Sequence, residues 1–83
     1  MELRDAILQQ LGKTLQHKRV AQNISQEQIA MRMGVNQSYI SLLEKGKTNP
    51  TYLTLVQYAQ CLGYGMPKIL FLHEEMVEEE MIL

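Results

Sequence analysis

Between Gln26 and Glu44 the chain reads QEQIAMRMGVNQSYISLLE, and no other stretch restricts the fold as much. Ser25 stands three residues before Gln28, so its hydroxyl can accept from the third backbone N–H while the glutamine reaches back: a helix begins here. Gly34 can take the left-handed backbone that ends a helix after two turns. Asn36 then sits where a second short helix needs its cap, and Gly46 sits where that helix should stop. Two short helices joined by three or four residues must cross steeply. A small residue is needed at the crossing, and Ala30 occupies it. Ile29, Met33, Val35, Ile40 and Leu43 fall where apolar side chains would lock one helix on the other, which leaves Gln37, Ser38 and Ser41 on the outside.

The flanks are helical as well. Ile7, Leu11 and Leu15 recur every four residues with Leu8 beside them, predicting a first helix from about residue 3 to about residue 22, stopped near Asn23. After Pro50, Thr51 can cap a fourth helix whose buried face is Leu55, Val56, Ala59 and Leu62 and which closes at Gly63. Pro67 suits the first position of a fifth helix carrying Ile69, Leu70 and Leu72 and running on toward Met76 and Val77. No strand-like alternation is sustained anywhere. The expected fold is all-α, five helices around a central helix-turn-helix. At 83 residues there is room for one such domain, assigned to residues 1–66, followed by a C-terminal helix and acidic tail at residues 67–83.

Charge divides at the same place. The net charge of −1 looks unpromising for binding a polyanion, yet residues 1–68 hold all eight Lys and Arg against four acids. Residues 69–83 hold five glutamates and no base, so a body of +4 carries a tail of −5. The longest apolar run is Ile69–Leu72, too short to span a membrane, and Glu2, Arg4 and Asp5 do not fit a signal peptide. A single cysteine, Cys61, builds neither a disulfide framework nor a multi-cysteine metal site, which points to a reducing, cytoplasmic setting. Catalysis finds no footing: His17 and His73 are far apart, His73-Glu74-Glu75 lacks the second histidine of a zinc-protease helix, and Cys61 reads as core. The glutamates lack the Asn, Asp and Gly of a calcium loop, so no metal or cofactor is expected.

From about Leu11 to Gly63 the sequence resembles the Xre/Cro type of helix-turn-helix domain, the family of the lambda repressor and Cro. The matching pieces are Leu11-Gly12, Leu15 and Arg19, then Ile24 to Ala30, Gly34-Val35, Tyr39-Ile40-Ser41, Glu44-Lys45-Gly46-Lys47, Asn49-Pro50 and Leu62-Gly63. No single piece is diagnostic; the ordered series is. The resemblance implies a DNA-binding transcriptional regulator, a dimeric repressor with its third helix in the major groove of double-stranded DNA.

Carried over by position, Gln37, Ser38, Ser41 and Leu42 would meet bases. Gln26, Lys45, Lys47, Thr48 and Asn49 would meet phosphates. A glutamine carboxamide suits adenine, and the start of a helix suits an anion. The plain alternative for each is a solvated side chain. Leu42 departs from the polar or basic residue common in the family; it would pack on a thymine methyl or turn inward, and the missing charge implies modest affinity or reliance on a dimer. Arg19 and Glu44 are expected to pair as a structural tie. Ile69, Leu70, Phe71, Leu72, Met76 and Val77 exceed what a small core absorbs and are assigned to a homodimer seam. A competing reading gives the acidic C-terminus to a protein partner, as in an antitoxin. Another is a small regulator accompanying a restriction–modification system.

Overall fold

The structure, a computed structural model, describes residues 2–64. These form four helices, α1 (Leu3–Ala21), α2 (Gln26–Met33), α3 (Gln37–Glu44) and α4 (Tyr52–Cys61), and no strand. The all-helical expectation holds over this span. The fifth helix, the boundary at residue 66, the acidic tail and the assigned seam (Ile69, Leu70, Phe71, Leu72, Met76 and Val77) lie outside the described residues.

The helix signals are local, and most act as written. Ser25 Oγ accepts from the Gln28 N–H at 3.0 Å and Gln28 Oε1 accepts from the Ser25 N–H at 2.8 Å, a complete capping box. Thr51 Oγ1 accepts from the Thr54 N–H at 3.1 Å. Asn36 is at the N-cap position with extended backbone, but its side chain makes no capping bond. All four helices close alike. The N–H groups of Ile24, Val35, Lys47 and Tyr64 each reach back five residues to a carbonyl, at 2.9–3.3 Å, over a left-handed residue. That residue is Asn23 in the first case and a glycine in the others. This closure satisfies carbonyls that a helix end would otherwise strand.

The core gathers Leu15, Ile29, Ala30, Ile40, Leu43, Tyr58 and Leu62. Ile29 and Ile40 are wholly buried and Leu43 nearly so, each such side chain contributing about 1.5–3 kcal/mol over exposure. Ala30 lies at the α2–α3 crossing as expected, 3% exposed. Three apolar expectations need correction. Val35, directly after the left-handed Gly34 that closes α2, is 37% exposed rather than locking the turn. Ile7 is 49% exposed; the approach of Gly46 to α1 falls on the next residues, Leu8 and Gln9. On α4 and its C-cap, Ala59 and Leu62 are buried and Leu55 and Val56 half-buried, while Tyr58, absent from the expected face, is as fully buried as Ile29 and Ile40.

α1 meets the end of α3 backbone to backbone. A Cβ on Gly12 would stand 2.7 Å from the Leu43 carbonyl oxygen and would overlap the Glu44 carbonyl. A Cβ on Gly46 would stand 2.7 Å from Cα of Gln9. Two glycines, one on each partner, thus let α1 seat the C-terminal end of α3 closer than any residue with a Cβ at these positions would allow.

Candidate nucleic-acid interface

α3 is two-sided. At 100° per residue, Ile40, Leu43 and Glu44 turn inward and all three are buried. Ser38, Leu42 and Lys45 turn the other way and are exposed; Gln37, in the first turn at the edge of that face, is exposed as well, and Ser41 between is half-buried. Leu42 is 47% exposed, so of its two expected orientations it takes the outward one. The helix N-terminus, with Gln37 and Ser38 in its first turn, is therefore presented to solvent. Past its C-terminal end, Lys47 and Asn49 are exposed and Thr48 half-buried. The residues expected to touch bases thus share one face. Those expected at phosphates flank it in the α3–α4 loop, with Gln26 at the start of α2.

What fixes this face is a buried polar knot under the last turn of α3. Glu44 Oε2 accepts from Arg19 Nε at 2.7 Å and from the Tyr58 hydroxyl at 2.8 Å. Its Oε1 accepts from Arg19 Nη2 at 2.9 Å and from Gln26 Nε2 at 3.1 Å. Arg19 Nη1 donates to the Ile24 carbonyl at 2.6 Å, which holds the turn between α1 and α2. Every helix contributes a member. Arg19 and Glu44 are 7% and 4% exposed, and among the described residues no buried side-chain polar atom lacks a partner. The expected Arg19–Glu44 tie is therefore present and two-pronged. Burial pushes the Glu44 carboxyl up, but the bonds from Arg19, Gln26 and Tyr58 outweigh it and hold the group below the usual glutamate range. The bond to Glu44 raises the Arg19 pKa further, and burial followed by the Glu44 carboxylate drives the Tyr58 phenol far up. At neutral pH the knot is one cation, one anion and a neutral phenol.

Two members escaped the sequence reading. Tyr58 stands three residues after Leu55 and four before Leu62, the spacing of a shared helix face, and that pattern was the signal available for it. Gln26 was expected at a phosphate; its side chain is half-buried with one amide hydrogen on Glu44, and the second hydrogen remains. Elsewhere, Arg32 donates to the Cys61 carbonyl at 2.9 Å and bridges α2 to the end of α4. Burial raises the Cys61 thiol pKa, partly offset by Arg32. Among the described residues there is no group of three metal-ligating side chains and no helix long and apolar enough to cross a membrane.

A short helix pair crossing over a small residue, with a polar outer face on its second member, defines a DNA-binding helix-turn-helix protein. Comparison with known proteins gives the family. A family model described as Helix-turn-helix matches residues 15–69. The chain is 40% identical over 53 residues, 64% of its own length and 69% of the relative, to y4dJ, an uncharacterized HTH-type transcriptional regulator of Sinorhizobium fredii. It is 35% identical over 60 residues, 72% of its length and 71% of the relative, to control protein C.SmaI of Serratia marcescens. The crystal structure of the restriction-modification controller protein C.AhdI from Aeromonas hydrophila superposes with a TM-score of 0.70 at 28% identity, covering 77% of this chain and 97% of that one. The chain belongs to the Xre-like helix-turn-helix family of transcriptional regulators, a family of DNA-binding proteins and not of enzymes.

Proposed function

We propose that this protein is a sequence-specific repressor that binds double-stranded DNA in the cytoplasm as a symmetric dimer and reads a palindromic operator. The observation that carries the reading is the outward face of α3, where Gln37, Ser38, Ser41 and Leu42 share one side of a helix whose other side is core. Laid in a major groove, that face puts Gln37 and Ser38 deepest, because the N-terminal turn of a recognition helix meets the base edges. Lys45, Lys47, Thr48, Asn49 and Gln26 then hold the backbone on either side. Residues 1–66 are the DNA-binding unit in this reading, and residues 67–83 supply the dimer seam through Ile69, Leu70, Phe71, Leu72, Met76 and Val77.

The names of two relatives favour a narrower version. One is a control protein and the other a restriction-modification controller, so the operator is proposed to lie beside the genes of a restriction-modification system. Selection of bound duplexes from random sequence at moderate salt tests the reading. Enrichment of an inverted repeat is expected; a pool that stays random overturns it.

A further inference from the structure

Glu44 belongs to α3, yet its carboxylate is where side chains of the three other helices meet. A carboxylate offers about four acceptor positions, and Arg19 (twice), Tyr58 and Gln26 fill four. Arg19, Glu44 and Tyr58 are buried; Gln26, in the first turn of α2, is the member whose side chain is half-exposed. The knot therefore opens to solvent at the residue assigned to a DNA phosphate.

The Tyr58 hydroxyl has one proton and two acceptors in reach, Glu44 Oε2 at 2.8 Å and the Leu15 carbonyl at 3.1 Å. The charged and nearer oxygen is the stronger acceptor. Holding Oε2 sets the tilt of the carboxylate about its Arg19 fork, and that tilt presents Oε1 to Gln26 Nε2. With one amide hydrogen bound there, the Gln26 carboxamide cannot turn over, and its second hydrogen keeps a fixed direction at the N-terminus of α2, where backbone N–H groups already favour an anion. We propose that Tyr58 is a positioning residue for the DNA-backbone contact of Gln26, acting through the Glu44 carboxylate. This rests on the DNA-binding reading above.

The test uses the full chain and Tyr58→Phe, which keeps the ring in the core and removes the hydroxyl. In 15N spectra of the wild type, the Gln26 side-chain amide should be displaced from the exposed Gln57 and Gln60, and in Tyr58→Phe it should move toward them. A wild-type Gln26 amide coincident with theirs overturns the proposal whatever the variant does. On DNA, Tyr58→Phe should weaken the selected duplex and a random one by a similar factor, roughly 3–10-fold for one lost hydrogen bond. In a Gln26→Ala background the same change should cost less than about twofold, since the contact it serves is gone. A purely structural tyrosine would lower the unfolding temperature and give additive losses in this cycle, which overturns the inference alone. If the wild type binds no duplex, the regulator reading itself fails and the inference falls with it.

Discussion

Each side chain at the proposed interface would carry a different kind of information. A glutamine carboxamide can accept from adenine N6 and donate to N7 at once, whereas a lysine offers only charge. Gln37→Ala is therefore expected to cost roughly 1–3 kcal/mol on the preferred site and to relax discrimination at one base position. Lys47→Ala should weaken all duplexes alike and make the salt dependence shallower by about one unit of slope. Titrations on specific and random DNA at several salt concentrations check both; equal losses on the two DNAs for Gln37→Ala would show that it reads no base. Glu44 answers to acid instead. Its pKa is lowered on folding, so its contribution is present above the ordinary glutamate pKa of about 4.3 and fades as pH falls through the lower folded value. Glu44→Gln removes the charge at every pH and leaves Arg19 buried without its anion, a loss on the order of 3 kcal/mol at neutral pH. Denaturant unfolding should show the two proteins far apart at pH 7 and converging toward pH 3; a constant gap would rule this out.

Among the elements, α1 emerges as the seat of the recognition helix, and Gly12 is its contact point. Gly12→Ala puts a methyl into the Leu43 and Glu44 carbonyls, so the helices must separate, at a cost of about 1–3 kcal/mol for overpacking. Because the displaced part is the end of α3, DNA affinity measured well below the unfolding midpoint should fall too. Unchanged affinity with lowered stability would mean that the crossing does not set the reading angle. The same comparison shows what a linear sequence reveals. The Ser25 box, the Thr51 cap and the left-handed residues at 23, 34 and 46 were legible, because each signal spans a few residues and needs no distant partner. The outer face of α3 was legible from helical periodicity. Tyr58 was not placed, since a polar-tipped aromatic buries fully only where something accepts its proton, and its acceptors are 14 and 43 residues away. The exposure of Ile7 and of Val35 depends on which distant residues the folded chain brings beside them, which apolar spacing does not encode. Gln26 meets Glu44 only because α2 and α3 cross as they do, 18 residues apart.

For the whole molecule, the uneven charge and the single short recognition helix both argue for two copies. One α3 spans a few base pairs, while two related by a two-fold axis would sit about one DNA turn, 34 Å, apart. Sedimentation of the full chain should give a dimer at tens of micromolar, and Phe71→Glu should give a monomer. Adding about five base pairs between half-sites, half a turn, should abolish tight binding by the wild type and leave the weaker binding of the monomeric variant unchanged. A monomeric wild type would overturn the dimer, and a Phe71→Glu chain that pairs as well would place the seam elsewhere. The two-sided character of α3 has a further result for descent and for engineering. The outward residues Gln37, Ser38 and Leu42 are exposed and hold no part of the interior, while Ile40, Leu43 and Glu44 are buried. Under the proposed function, a lineage could therefore drift from one operator to another without crossing a valley of unfolded intermediates, and a library at those positions should retarget the protein on an unaltered chassis.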